Sequence, residues 1–293
     1  MALPSSGALS IDDIRTEIGS ESGSLKTLSV AVGFAPPYAI SNFYGYSSGT
    51  PNDLYWDFGD NDGGANFTGN AGTSAGPFSF SMWVKPSWPA TDVNVQLFDI
   101  NANNGNNTDR LILVYDYGFN RLIFRYRAGS SNHHINWALN QNAASGNISR
   151  WHSTSTGPVN ADGFAHIAGT FDPSQSLAVN GLKLYWNGVA FNTTITVANG
   201  TRAPFPKTNM SINAAFNGNG DRAGDFDNVA FWFNRLLTPS DIVNLYATGN
   251  GSTVADAGLT TGLGFEASME SGFFIDETGN WTAGATGGQS GTY

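Results

Sequence analysis

The stretch "AGDFDNVAFWFNRLLTPSDIVNLYATGNG", Ala223 to Gly251, decides how the chain is read. Its first half is an acidic, glycine-flanked run rich in aromatic and β-branched residues, the composition of a strand. Its second half predicts one short helix over residues 239–248. Thr238 is placed as N-cap, Pro239 at the first helical position, Asp241 three residues after the cap and Gly249 as terminator.

Working back from this point, the period is that of strands. "LYWDF", "FSFSMWVKP", "VQLFDI", "RLILVYDY", "RLIFRYR", "FAHIAGTF", "LKLYWNG", "MSINAAF" and "FDNVAFWF" are short apolar runs cut by Gly, Asn and Pro. They recur at roughly 10- to 20-residue intervals. "FSFSMWVKP" alternates apolar and polar residues, as a strand with one face on a core does. Such runs with no helices between them imply a mainly β protein, a two-sheet antiparallel sandwich.

The ends read differently. Residues 1–48 predict two short helices, "SIDDIRTEIG" with Ser10 and Asp13 at capping-box spacing and "SLKTLSVAVG" from Ser24 to Gly33, followed by an aromatic patch of Phe43, Tyr44 and Tyr46. Helices this short need something to pack on. Beyond residue 250, "GLGFEASMESGFFIDETGNW" offers one or two further strands, and "AGATGGQSGTY" reads as a flexible or partner-dependent tail. The expected organisation is therefore a helical arm over 1–48, a sandwich over 51–250 and an extension over 251–293.

Composition narrows the function. The net charge is -10, with 13 Lys and Arg, which argues against nucleic acid, since phosphate binding relies on basic side chains. The one basic cluster, Arg121, Arg125 and Arg127, alternates as one face of a strand would. No cysteine is present, so disulfides and thiolate metal sites are excluded. No apolar run reaches membrane-spanning length, and the first residues lack the basic start and apolar core of a signal peptide.

The opening stretch resembles the closing part of laminin-G-like, concanavalin-type jelly rolls, in which "x-D-x-V-x-x-W" is followed by "N-R-x-L-(S/T)" and "x-x-D/E-I-x-x-L-Y". Here Phe233 is one residue extra before Asn234. "LYWDFGDNDGGANF", "FSFSMWVKP", "GFAHIAGTFD" and "LKLYWNGV" match earlier family strands in order, with Phe164 where Trp is usual. The resemblance covers residues 53–250 and implies a jelly roll whose last helix seals one end. The arm carries a second resemblance. "LPSSGALSIDDI" is similar to the start of tail and fibre polypeptides of tailed bacteriophages.

The same jelly roll hosts glycoside hydrolases, which need two carboxylates about the scissile bond. Glutamate occurs only at Glu17, Glu21, Glu266, Glu270 and Glu277, and no "E-x-D-x-x-E" strand is present, so no enzyme is expected. Calcium is the more plausible chemistry, because hard cations take carboxylate and amide oxygens. Asp57, Asp60 and Asp62 sit on one glycine-rich turn, and Asp225 and Asp227 on the last strand. The resemblance implies a structural calcium near Asp60 and Asp227; the alternative is a set of Asx-turns.

Residues 128–160 form a long polar insertion carrying His133, His134, Asn136, Trp137 and Trp151. These are the candidate glycan contacts, the tryptophans stacking on sugar faces and the amides reading hydroxyls. The alternative makes both tryptophans inner residues of an extra hairpin. Together the resemblances imply a bacteriophage virion-surface protein, assembled in the host cytoplasm. Its arm would bind other virion proteins, its sandwich a cell-surface glycan, and the particle would carry it as a homo-oligomer. The rival readings are an architectural decoration subunit that binds no sugar and a free lectin.

Overall fold

The computed structural model describes residues 8–18, 23–31, 39–40, 54–58, 64–69, 76–86, 88, 94–102, 109–128, 131–139, 151, 159–160, 163–175, 181–191, 195–199, 207–213, 224–247, 253–268, 276–286 and 289–292. The chain divides into two compact units, residues 1–51 and 52–293.

In the first unit α1 (Ile11–Ile18) and α2 (Leu25–Ala31) are both short. Ser10 and Asp13 form the expected capping box. The Ser10 N–H donates to Asp13 Oδ2 at 2.8 Å, and the Asp13 N–H to Ser10 Oγ at 3.1 Å. Ile14 and Leu28 are buried against each other's surroundings, with Leu9, Ile11, Leu25 and Ile40 packed around them. That small cluster supplies what local propensity cannot.

The second unit is a sandwich of two antiparallel sheets, as the strand pattern predicts. In chain order its strands are β1 (Leu54–Asp57), β2 (Ala65–Gly69), β3 (Phe78–Pro86), β4 (Asn94–Asn101), β5 (Arg110–Asp116), β6 (Arg121–Ala128), β7 (Ser131–Ala138) and β8 (Ala165–Phe171). They continue with β9 (Leu182–Trp186), β10 (Val189–Ala190), β11 (Ile195–Asn199), β12 (Asn209–Ile212), β13 (Gly224–Phe233), β14 (Leu263–Ala267), β15 (Trp281–Thr286) and β16 (Gln289–Thr292). One sheet runs β10-β9-β8-β3-β13-β1-β16, with β14 also paired to β13; the other runs β11-β7-β6-β5-β4-β12-β2-β15.

Aromatic rings bridge the two sheets. Phe78, Phe80 and Phe231 of the first sheet meet Phe98 and Phe124 of the second, with Phe80–Phe98 centroids at 4.9 Å and Phe98–Phe231 at 5.1 Å. A Cβ on Gly169 would lie 2.4 Å from the Phe80 ring, so only glycine leaves room for that ring.

Strand β13 carries a bulge between Asp227 and Ala230, with Asn228 in the left-handed region at φ 46°. The extra residue switches the alternation. Phe226 faces the main core before it, and Val229, Phe231 and Phe233 face it after. Ala230 and Trp232 are thereby sent to the opposite face, where they join Ala168, Tyr185, Ile242 and Leu245 in a second core. This is why "FDNVAFWF" is apolar on both faces. The helix α3 (Pro239–Tyr246) covers the outer face of the first sheet rather than sealing an end of the sandwich. Its capping box, Thr238 with Asp241, is formed as expected, but the chain leaves the helix at Ala247 (φ 44°), two residues before Gly249.

The C-terminal stretch supplies the further strands that "GLGFEASMESGFFIDETGNW" offered, and it departs from expectation in its last residues, which are not a tail. It is woven into both sheets. β14 lies on β13, β15 pairs with β2 and β16 pairs with β1, so "AGATGGQSGTY" is largely strand. Glycine carries no strand signal of its own, and the partners that hold these strands, β1 and β2, lie far away in sequence.

Candidate functional site

Among the described residues the outer face of the second sheet carries a run of polar side chains from β2 to β7, interrupted by Ile112, Val114 and Ile123, and this follows from register. Core residues Leu111, Leu113, Tyr115, Leu122, Phe124 and Tyr126 alternate with outward positions on β5 and β6. One outward row runs from Asn66 through Ser211, Asp99 and Ile112 to Arg125 and His134. The next runs from Thr68 through Asn209, Asn101 and Arg110 to Arg127. A third sets Gln96, Val114, Ile123 and Asn136 side by side.

Two ion pairs lie in this face. Asp99 accepts from Arg110 through both oxygens, Nε at 3.2 Å and Nη2, and Asp116 accepts from Arg121 Nε at 2.9 Å. Among the described residues no carboxylate pairs with Arg125 or Arg127. Arg127 stands directly opposite Arg110, an unfavourable like-charge pairing in a sheet. Burial, then the charges of Arg127, Arg110 and Arg121, press the Arg125 guanidinium below its ordinary value. Burial, with Arg125 and Arg121, lowers His134 to about 4, so its ring is neutral at pH 7.

Several polar atoms here are buried without a hydrogen-bond partner: Asn66 Oδ1, Gln96 Nε2, Asn101 Oδ1, Arg125 Nε, Arg127 Nε, His134 Nδ1 and Asn136 Oδ1. Buried polar groups are nearly always paired, and each orphan costs about 1–3 kcal/mol. Their concentration on one face is what marks it. At the tip of the β5–β6 turn Phe119 is 71% exposed, with the Arg121 guanidinium 4.5 Å from its ring centroid.

His134 and Asn136 therefore lie where a ligand contact is possible. Trp151 does not, and its reading as a sugar platform is corrected. It is fully buried, its ring 5.0 Å from Trp88, 5.4 Å from Tyr115 and 5.1 Å from Trp186. Its backbone N–H donates to Tyr115 Oη at 2.9 Å and its backbone carbonyl accepts from Trp88 Nε1 at 2.6 Å. For His133 and Trp137 only the backbone is described; they stand in register with Tyr126 and Leu122. Part of the polar insertion is thus strand β7. Sequence reasoning passed over Asn66, Gln96 and Asn101, which lie in separate strands, and set the alternating arginines only against nucleic acid.

The acidic residues are partly assembled. Asp57 and Asp225 are direct cross-strand partners, and Lys85 Nζ lies 3.5 Å from Asp225. Asp227 is buried, accepting the Asn228 N–H at 2.7 Å. Asp60 and Asp62 lie outside the described residues. Among the described residues no three His, Asp or Glu side chains are grouped to hold a metal, so these alone do not make up a calcium shell.

Elsewhere, Ser81 Oγ lies 2.8 Å from His166 Nε2 beneath α3, but His166 is fully buried and its Nδ1 has no partner. A depression of about 290 Å³ on the first sheet is bordered by Thr170, Asp172, Lys183, Tyr185 and Pro239.

The chain belongs to the concanavalin A-like lectin/glucanases superfamily, whose sequence model matches residues 58–243. Among solved structures it is similar to a protein from Bacteroides ovatus assigned to carbohydrate binding, at 16% identity and a TM-score of 0.52 over 82% of this chain and 59% of that one. It is also similar to a heptameric SAP-like pentraxin from Limulus polyphemus, at 14% identity and a TM-score of 0.49 over 83% and 96%. At such identities the likeness concerns the fold. No curated protein sequence matches the chain.

Proposed function

We propose that this is a non-catalytic glycan-binding adhesion module on the surface of a tailed-bacteriophage virion. Residues 1–48 anchor it to other virion proteins, and the outer face of the second sheet meets the sugar. The observation that carries the binding reading is the gathering of orphaned amide, imidazole and guanidinium atoms on that face. Sugar hydroxyls both donate and accept, which is what such atoms lack. The carbohydrate-binding assignment of the similar Bacteroides protein agrees with it. The virion reading rests on "LPSSGALSIDDI".

Weak single-site binding suffices when many copies sit on one particle. Among the described residues the carboxylates on this face, Asp99 and Asp116, are engaged by Arg110 and Arg121, in keeping with adhesion. A glycan array probed with the full chain tests the binding reading, and binding to no glycan would overturn it. Immunogold labelling of phage particles tests the virion reading; clean particles would overturn that part.

A further inference from the structure

We infer that the outer face of the second sheet takes an anionic saccharide, a chain whose sugars carry carboxylate or sulfate groups, and that Arg125 and Arg127 select it. The inference rests on the glycan-binding reading above and names its ligand class.

The chain is short of basic residues, with 13 Lys and Arg against 23 Asp and Glu, yet four arginines gather on one face of two neighbouring strands. Arg110 and Arg121 are neutralised by Asp99 and Asp116. Among the described residues no carboxylate neutralises Arg125 or Arg127, and their Nε atoms are buried without an acceptor. A buried donor on a permanent cation is satisfied best by an anionic oxygen, and the guanidinium fork matches a carboxylate or sulfate in a bidentate way.

Position supports the same ligand. Arg125 and Arg127 are two residues apart on one face, roughly 7 Å along the strand. Beside them are His134 and, in the adjoining rows, Asn101 and Asn136, whose orphaned atoms suit hydroxyls. The face therefore pairs a few fixed charges with neutral polar groups, as a charged sugar does. A nucleic acid presents a phosphate at every step and would meet an otherwise acidic molecule. At physiological salt the distant acids are screened beyond about 8 Å, so an anion seated in the face feels chiefly the arginines.

The test is titration calorimetry of the full chain with polygalacturonate, heparin, the neutral polymer dextran, a DNA duplex and polyglutamate. The variants are R125Q/R127Q, R125K/R127K and, at the depression on the other sheet, K183Q. We expect polygalacturonate or heparin to bind and dextran to bind at least tenfold more weakly. Loss of both arginines should weaken binding about 100-fold, in line with charge-assisted hydrogen bonds. The lysine variant should recover part of that loss, K183Q should change nothing, and the melting temperature of R125Q/R127Q should not fall, because like-charge repulsion is removed.

Unchanged affinity in R125Q/R127Q overturns the inference. So does a wild-type preference for a neutral glycan on the array, which leaves the glycan reading standing. Binding to no sugar polymer and to no arrayed glycan overturns both. Equal binding of DNA or polyglutamate overturns the saccharide assignment in favour of an unselective anion surface. Should the double variant not fold, the salt dependence of wild-type binding decides: affinity that falls with added NaCl supports the arginines, and salt-independent affinity overturns them.

Discussion

His166 gives the fold a pH dependence that can be worked out in advance. Its side chain lies fully buried between the first sheet and α3, with Ser81 Oγ at 2.8 Å and the rings of Trp83 and Tyr246 at 5.1 and 5.9 Å. Burial lowers it from 6.5 to about 3. The folded state therefore holds a neutral ring through the range in which the unfolded chain takes up a proton. Stability is complete above pH 6.5, is lost as pH falls below it, and levels off below the folded value.

Between pH 6.5 and 4.5 the unfolded ring is protonated while the folded ring stays neutral, which costs the folded state about 2 kcal/mol. For a domain of this size that is roughly 4–8 °C in melting temperature. The assay is calorimetric melting of the wild type and His166→Gln at both pH values. Glutamine keeps a hydrogen-bonding partner for Ser81 and does not titrate. Carboxylates and the half-buried His134 contribute equally to both proteins, so the difference between the two shifts isolates His166. The wild type should lose roughly 4–8 °C more than the variant. Equal losses would refute the reasoning and mean that His166 is solvated or charged in the folded protein.

Other expectations follow from the packing. Trp151→Ala should cost about 3–5 kcal/mol, as large core truncations do, read as a lowered denaturant midpoint; a near-neutral effect would contradict its burial. At the β13 bulge, Asn228→Ala should cost about 1–2 kcal/mol for a left-handed alanine, while Asn228→Gly should be better tolerated. We propose calcium between the cross-strand partners Asp57 and Asp225, where it would share Asp225 with Lys85. Added CaCl2 should then raise the melting temperature of the wild type but not of Asp57→Asn, and EDTA should reverse it; no shift in the wild type would remove calcium from the account. Thr238→Ala should lower stability by about 0.5–2 kcal/mol through loss of the α3 cap, measured by denaturant unfolding.

The sequence by itself determined what depends on neighbours along the chain. The capping boxes of α1 and α3, the strand character of the nine apolar runs and the sandwich they imply are all local matters of period and end chemistry, and all are present in the structure. The alternating arginines of β6 were visible for the same reason, although not their significance. Tertiary structure decided the rest, because its terms join residues far apart. Trp151 reads as an exposed aromatic in a polar loop, yet Trp88, Tyr115 and Trp186 enclose it. The last residues read as a tail because glycine carries little local signal, yet strands β1 and β2 give them partners. The polar face exists only through register. Asn66, Asp99, Arg125 and His134 come from four separate strands, and nothing short of the backbone pairing between them sets these side chains in one row.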